Sequence, residues 1–255
     1  MHISLFIDSP ESKILKLQAA NLNMFQSLLY KLLPPERSSF LHDKGYVVDG
    51  KPLKLFSFGW PKSGSKPQID GDYIIFELPI RLVVSSPLTE TLDGIASGAL
   101  FSKEIRIGVN VVRCVRVEAK SYVVSSDKVT VTTLSPITCY SQMQRADGRK
   151  YTVYFSPNEN EFSSLIHRNL LRKHRALYPN IPVPEGEVKI RPIGTPKERV
   201  AKFKGDSMFP VKGWSGRFTL TGPKQLLQVG VDCGFGAKNS SGFGCVIISD
   251  KKNEA

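Results

Sequence analysis

Residues 234–244 read Gly-Phe-Gly-Ala-Lys-Asn-Ser-Ser-Gly-Phe-Gly and lie between an apolar run at 226–231 and a strand-like tail at 245–248. We call this stretch the glycine loop. Glycine tolerates positive φ and lets other groups approach its backbone, so clustered glycines favour a loop that exposes N–H groups. Such groups, together with Lys238, suit an anion such as phosphate. A tight surface turn is the alternative interpretation.

Two nucleotide-binding fingerprints do not fit the glycine loop. A dinucleotide-binding loop needs Gly-x-Gly-x-x-Gly opening a helix, but the sixth position here is Asn239 and a strand follows. A Walker loop needs Gly-Lys-Ser/Thr leading into a helix, whereas this sequence has Ala237-Lys238-Asn239. A phosphate bound by this loop would therefore belong to a longer polymer.

The net charge is +12, and most of it lies in the second half of the chain. Residues 1–127 contain 15 lysine or arginine residues and 13 acidic ones, whereas residues 128–255 contain 20 and 10. A basic half on a folded chain indicates a polyanionic partner, most often nucleic acid. A basic surface without a partner is the alternative.

The composition disfavours several classes of protein. No apolar run approaches the roughly 18 residues that would cross a membrane, so no membrane association is expected. The first residues lack the charged start and apolar block of a secretory signal, and a cytoplasmic location is predicted. The cysteines show no close spacing and no histidine partner, which predicts free thiols; they are Cys114, Cys139, Cys233 and Cys245.

The first half of the chain predicts the element order β-α-β-β-α-β. Alternation predicts a strand at 2–8, and Asn21 or Asn23 can cap a helix that Pro34-Pro35 stops. Pro35 can begin a second short helix, closed by Gly45. The other predicted elements are strands at 54–60 and 73–80, a helix at 88–100 and a strand-rich segment at 104–118.

A similar order begins again after the joining segment at 122–128. Its predicted strands lie at 129–140, 151–155, 188–191, 200–204, 216–221 and 245–248. Its predicted helices follow residues 156–158 and begin near Pro223. The fold class is therefore predicted as α+β, with two tandem ferredoxin-like (RRM-like) βαββαβ domains at 1–125 and 126–255. Such a unit is a common platform for RNA.

Three of the four histidines are not expected to take part in catalysis or metal binding. His2 is interpreted as incidental to the first strand. His167 and His174 lie seven residues apart on a basic helix, which separates them by about 10.5 Å, too far for a helical metal pair. They are predicted to be surface residues. Acidic residues are scattered, so neither a two-metal site nor any other metal or cofactor is expected.

His42 stands in a different setting, at a predicted helix end beside Asp43. Tyr30 precedes it, and Lys51 and Lys54 follow it. Histidine, tyrosine and lysine together suit metal-free RNA cleavage, because the substrate's own 2′-hydroxyl supplies the nucleophile. The protein then needs only to move protons and to stabilise the negative charge of the transition state. A histidine favoured by the helix dipole is the structural alternative.

Four segments in order carry a resemblance to a known family. They are Phe40-Leu41-His42-Asp43, Lys54-Leu55-Phe56-Ser57-Phe58, Leu134-Ser135-Pro136-Ile137 and residues 229–244 with the glycine loop. With them the chain resembles the CRISPR repeat-RNA endoribonucleases, which cut the CRISPR precursor transcript within each repeat. The similarity covers nearly the whole chain, and the glycine loop is its most specific part.

The resemblance implies two ferredoxin-like domains and metal-independent cleavage that leaves 2′,3′-cyclic phosphate and 5′-hydroxyl ends. It implies that His42 is the catalytic histidine, with Tyr30 and Lys54 as its partners. Two alternatives stay open: Lys51 in place of Lys54, and Tyr46 in place of Tyr30. No cofactor is implied.

The partner implied is CRISPR repeat RNA. The predicted RNA-binding residues are Lys238, Arg191, Lys202 and Lys204, with the loop glycines Gly234, Gly236, Gly242 and Gly244. A repeat-RNA binding subunit that does not cleave is the alternative function. A homodimer and contacts with other proteins of a CRISPR interference complex stay open.

Overall fold

The computed structural model describes residues 1–203 and 209–249. It contains five α-helices over the described residues. They are α1 Leu22–Leu32, α2 Pro35–Ser39, α3 Thr89–Phe101, α4 Asn160–Leu177 and α5 Lys224–Cys233. One turn of π-helix, Phe40–Lys44, continues α2, and one turn of 3-10 helix, Asn239–Ser241, lies in the glycine loop.

Sixteen strands accompany these helices in the described part of the chain. Those of the first half are β1 His2–Asp8, β2 Ile14–Gln18, β3 Tyr46–Val48, β4 Lys51–Leu53, β5 Ser57–Phe58, β6 Gln68–Asp70, β7 Tyr73–Glu77, β8 Ile80–Ser85, β9 Ile105–Ile107 and β10 Asn110–Lys120. Those of the second half are β11 Lys128–Thr133, β12 Tyr140–Gln144, β13 Lys150–Tyr154, β14 Lys189–Phe203, β15 Phe209–Thr221 and β16 Val246–Ile248.

The first sheet has the order β5-β8-β1-β10-β9, with every neighbouring pair antiparallel. Its elements β1, α1, β5, β8, α3 and β10 follow one another as β-α-β-β-α-β, the ferredoxin-like order. On β1 the alternating residues Ile3, Leu5 and Ile7 are buried, and α1 turns Phe25 and Leu29 toward the same core.

The second sheet has the order β14-β15-β11-β16 and repeats this topology with β11, α4, β14, β15, α5 and β16. The hairpin β12–β13 is inserted between β11 and α4. The predicted fold class, two tandem ferredoxin-like domains, is confirmed. The boundary between 1–125 and 126–255 stays a prediction.

The two cores contact each other at a few side chains. The core of the first half includes Ala201, Val211 and Phe243 from the second half. The core of the second half includes Leu55 from the first. The ribbon β14–β15 and the glycine loop therefore pack against both halves of the molecule.

The predicted separate strands at 188–191 and 200–204 are wrong, because β14 is continuous from Lys189 to Phe203. Gly194 and Pro196 lie between the two predicted strands, where the register with β15 shifts, between Ile193 and Lys197. A bulge absorbs such residues without ending the strand. Lys204, a predicted RNA-binding residue, lies outside the described residues.

Several short strands of the first half were not expected. The sheet β2-β7-β6 and the hairpin β3–β4 were not predicted, and the predicted strand at 73–80 is divided into β7, which ends at Glu77, and β8, which begins at Ile80. The four cysteines are unpaired, as predicted. None of the described helices is both long and apolar enough to span a membrane.

Candidate active site

The turn that carries His42 is fixed by its neighbours. The π-helical turn buries Leu41 completely and leaves His42 and Asp43 exposed. Gly45 ends it at φ +66°, with its N–H bonded to the Phe40 carbonyl at 2.7 Å. A Cβ at Gly45 would lie 2.6 Å from the Leu53 carbonyl oxygen of β4, so the turn is pressed against that strand.

Tyr30, His42 and Lys54 lie together beside this turn. The Tyr30 and His42 rings meet edge to face with centroids 5.6 Å apart, and Phe56 packs against Tyr30 at 5.9 Å. The Lys54 ammonium donates a hydrogen bond of 2.7 Å to the His42 backbone carbonyl. The three residues that the sequence grouped are therefore neighbours in space.

The electrostatics of the cluster follow from burial and from Asp43. The Asp43 carboxylate accepts a bond of 2.7 Å from His42 Nδ1, which directs the other ring nitrogen, Nε2, away from it. Burial raises the pKa of the Tyr30 phenol, and a hydrogen bond with Ser240 opposes that rise. Partial burial lowers the pKa of Lys54, and the Asp43 charge opposes that shift.

Tyr46 and Lys51, the alternatives to Tyr30 and Lys54, have different surroundings. Arg37 donates a bond of 3.0 Å to the Tyr46 hydroxyl and also contacts Thr91 and Glu90, so Tyr46 belongs to a network with α3. Its ring packs on Phe40 rather than on His42. Lys51 is exposed at the start of β4, near Lys54 along the same strand and loop.

A cavity of about 710 Å³, which we call the basic cavity, is bordered by Lys54. Its walls come from β4, α4, the start of β12 and the glycine loop, and no acidic side chain of the described residues lines it. Its basic side chains are Lys51, Lys54, Arg168, Arg172, Lys173 and Lys238. Within residues 1–203 and 209–249, no group of three or more His, Cys, Asp or Glu side chains could hold a metal ion.

Several N–H groups of the glycine loop, predicted to be exposed, are instead bonded to carbonyl groups of the protein. The N–H groups of Phe235, Ala237 and Gly244 bond to the carbonyls of Gly244, Thr138 and Pro136 at 2.8–2.9 Å. The four predicted glycines, Gly234, Gly236, Gly242 and Gly244, are all buried. Positive φ and close backbone approach are reasons for glycine at these positions. A role of the four glycines in RNA binding stays a prediction.

The loop instead joins the two halves beside the catalytic cluster. Gly242 faces the Phe58 ring, where a Cβ would lie 2.9 Å away, and its carbonyl accepts a bond of 2.8 Å from the Trp60 indole. Ser240 reaches the Tyr30 hydroxyl. Residues 57–60 and the glycine loop therefore pack closely against each other.

The described residues among the predicted RNA-binding lysines and arginine lie in three places. Lys238 is half-buried in the basic cavity, 5.7 Å from the centroid of the Tyr140 ring, and burial lowers its pKa. Arg191 and Lys202 are exposed near opposite ends of β14 and do not line that cavity.

The basic helix α4 is more deeply packed than predicted. His174 is buried against Tyr178 and not a surface residue, with ring centroids 5.0 Å apart. His167 is half-buried and accepts a bond of 3.3 Å from the Val188 N–H. His2 is also buried, and desolvation lowers its pKa to about 4 while its Nε2 bonds to the Val246 carbonyl. Each of these histidines fills a packing role.

Two neighbours of the cluster were missed by the sequence argument. Ser240 was quoted as part of the glycine loop, but nothing local connected it with Tyr30, 210 positions earlier. Lys173 lies on the helix that the sequence analysis described only as basic, and it is buried under the loop. Asp43 adjoins His42 in sequence, so its role as an orienting carboxylate follows from that spacing alone.

A family model and two curated relatives name the same family. The family model described as CRISPR associated protein Cas6, C-terminal, matches residues 118–248. A CRISPR-associated endoribonuclease Cas6 of Methanocaldococcus jannaschii is 30% identical over 175 residues, which are 68% of this chain and 65% of that protein. The chain thus spans just under two thirds of that relative. The Cas6 endoribonuclease of Pyrococcus furiosus is 27% identical over 235 residues, covering 89% of this chain and 81% of that one.

Solved structures agree with the fold. The structure of a Cas6-related protein from Pyrococcus furiosus aligns with a TM-score of 0.79 at 22% identity, over 98% of this chain and 99% of that one. A second structure, described as CRISPR associated protein Cas6, aligns with a TM-score of 0.77 over the same shares. At these identities the likeness concerns the fold alone.

Proposed function

Because the chain belongs to the Cas6 family of CRISPR-associated proteins, we propose that it is an endoribonuclease that cleaves precursor CRISPR RNA within its repeats, without a metal ion, to give guide RNAs. The observation that carries this proposal is the cluster of Tyr30, His42 and Lys54 at the edge of the basic cavity. An exposed histidine beside a phenol and an ammonium supplies proton transfer and charge stabilisation in one place.

The reaction needs no group beyond the RNA and these side chains. The 2′-oxygen loses its proton and forms a bond to the adjacent phosphorus, while the bond from phosphorus to the 5′-oxygen breaks. The leaving 5′-oxygen takes up a proton. The products carry a 2′,3′-cyclic phosphate and a 5′-hydroxyl.

His42 acts at one of the two proton transfers, as base toward the 2′-hydroxyl or as acid toward the 5′-oxygen. Asp43 keeps the ring oriented through Nδ1, so that Nε2 meets the RNA. Lys54 lies close enough to hold negative charge that develops on the phosphate oxygens. Tyr30 positions the phosphate or assists the proton transfer.

The basic cavity gives the RNA a path away from the cluster. Its lysines and arginines other than the buried Lys173, with Lys238 and Tyr140 on one wall, offer charge for phosphates and a ring for a base. Arg191 and Lys202 extend the basic surface along β14. A homodimer and contacts with other proteins of an interference complex stay predictions.

The test is incubation of the protein with the repeat RNA of its own host in excess EDTA. Cleavage at one position, with products that carry a cyclic phosphate and a free 5′-hydroxyl, is the expected result. Binding of the RNA without any cleavage would overturn the proposal in favour of a repeat-RNA binding subunit. Cleavage that EDTA abolishes would overturn the metal-free chemistry.

Replacing Lys54 is expected to slow cleavage more than replacing Lys51. Lys54→Ala removes the ammonium beside His42, and the loss of transition-state charge stabilisation should lower the single-turnover rate constant by roughly 10². Lys51→Ala is the matched control, since Lys51 is exposed and lines the same cavity, whereas it is Lys54 that bonds to the His42 carbonyl. Rate constants at saturating RNA measure both. A larger loss in Lys51→Ala would transfer the catalytic role to Lys51.

A further inference from the structure

A buried lysine outside the catalytic cluster holds the glycine loop. Lys173 of α4 is only 3% exposed, and its ammonium donates to the Gly234 carbonyl at 2.6 Å and to Asn239 Oδ1 at 2.7 Å. A buried ammonium is costly unless it is hydrogen-bonded, and bonds of this kind are shorter and stronger than neutral ones. The loop supplies both acceptors.

The Asn239 side chain connects Lys173 to both arms of the glycine loop. While its carbonyl oxygen accepts from Lys173, its amide nitrogen donates to the carbonyls of Phe235 and Phe243 at 3.1 and 3.0 Å. The side chain therefore ties the two arms of the loop together. Lys173 fixes which way the amide group faces.

The residues that follow Asn239 reach the catalytic side. Ser240 shares a hydrogen bond with the Tyr30 hydroxyl, and Ser241 accepts a bond of 3.4 Å from Gln26 of α1. Tyr30 in turn packs edge to face on His42. A continuous series of contacts runs from Lys173 through Asn239 and Ser240 to Tyr30.

We propose that Lys173 is a positioning residue for cleavage: its ammonium holds the glycine loop so that Ser240 orients Tyr30 toward His42. This inference rests on the proposed function, because it takes Tyr30 and His42 as the site of reaction. Lys173 does not touch the RNA in this role.

The ammonium form of Lys173 is the form that holds the glycine loop. The rate of cleavage should therefore depend on the protonation of Lys173. Burial lowers its pKa to about 8, so the ammonium is present below that pH and is lost as the pH rises through it. The titratable groups nearest to it are the thiols of Cys139 and Cys233, whose pKa values burial raises, so both stay neutral in this range. Lys54 and Lys238 line the same cavity.

The first test compares Lys173→Met with Arg175→Met, an exposed position on the same helix. Lys173→Met should lower the single-turnover rate constant at saturating RNA by about 10- to 100-fold, since small misplacement of a reacting group has effects of this size. RNA affinity should stay close to that of the unchanged protein. Arg175→Met should leave the rate constant unchanged. A loss of affinity with an unchanged rate constant would overturn the inference.

Coupling to Tyr30 separates positioning from general stability. If Lys173 acts through Tyr30, Lys173→Met should slow the Tyr30→Phe protein much less than it slows the unchanged protein. Equal factors in both backgrounds would overturn the inference. Ser240→Ala breaks the last contact without disturbing the buried charge and should reproduce the same loss, which keeps the test decisive where Lys173→Met fails to fold.

The pH profile gives an independent readout. The rate constant should fall as the pH rises through about 8, and Lys173→Arg, which stays charged, should retain activity there. An identical alkaline fall in both proteins would overturn the inference. Failure of the proposed function looks different, since His42→Ala would then cleave like the unchanged protein whatever Lys173 does.

Discussion

Replacing His42 with alanine is expected to reduce the rate of repeat-RNA cleavage by roughly 10² to 10⁴-fold, the usual contribution of positioned acid–base catalysis. His42 is exposed on the π-helical turn and bonded to Asp43, so its removal opens no cavity in the core. RNA affinity should therefore change little. Single-turnover cleavage in EDTA and a filter-binding titration measure the two quantities separately.

Lys44→Ala is the matched control for this substitution. Lys44 is exposed on the same turn, and its replacement removes a positive charge near the site without removing the imidazole. We expect cleavage by this variant to stay near the rate of the unchanged protein. Undiminished cleavage by His42→Ala would refute the assignment of His42, and an equal loss in both variants would point to binding rather than proton transfer.

The part of the catalytic cluster that lies on neighbouring elements could be predicted from the sequence. Tyr30 and His42 are twelve positions apart, at the end of α1 and on the turn after α2, so their nearness follows from two adjacent short elements. Lys54 was one of two candidate lysines, and the family resemblance preferred it to Lys51; the loop after β4 brings it to the His42 carbonyl. The hydrogen bond from Arg37 to the competing Tyr46 is a contact that no local sequence pattern predicted.

Ser240 and Lys173 could not be predicted because their partners are distant in sequence. Neither residue stands in a local pattern that differs from a surface turn or a solvated helix face. Their roles depend on how the second half of the chain packs on the first. The hydrophobic periodicity of the sequence does not reveal that packing. The same is true of the glycine loop, whose glycines indicated exposed N–H groups until their carbonyl partners were known.

The fold followed from periodicity where elements are long and have one buried face. The strand β1 and the helices α1, α3 and α4 lie close to their predicted positions. Short elements were missed: β3 and β4 have three residues each, too few for alternation to distinguish them from loop. The strand β14 contains Gly194 and Pro196, two residue types that are depleted in strands, yet its pairing with β15 continues on both sides of them.

Gly244→Ala is expected to destabilise the protein severely, by roughly 3 to 5 kcal/mol, through left-handed strain and overpacking together. Gly244 has φ +72°, and a Cβ there would lie 2.0 Å from the Phe235 carbonyl oxygen. Neither neighbour can retreat easily. The Phe235 N–H is bonded to the Gly244 carbonyl, and the Gly244 N–H is bonded to Pro136.

Gly71→Ala separates the two causes. Gly71 also has positive φ, +57°, but a Cβ there would meet nothing within 4 Å, so only the conformational cost of roughly 1 to 2 kcal/mol applies. Urea denaturation followed by tryptophan fluorescence measures both variants, and Trp60 reports on the loop because its indole bonds to Gly242. Equal losses in the two proteins would mean that the loop tolerates a side chain at Gly244. A much larger loss at Gly244 would mean that the close approach of backbone to backbone, rather than positive φ alone, is why the loop needs glycine there.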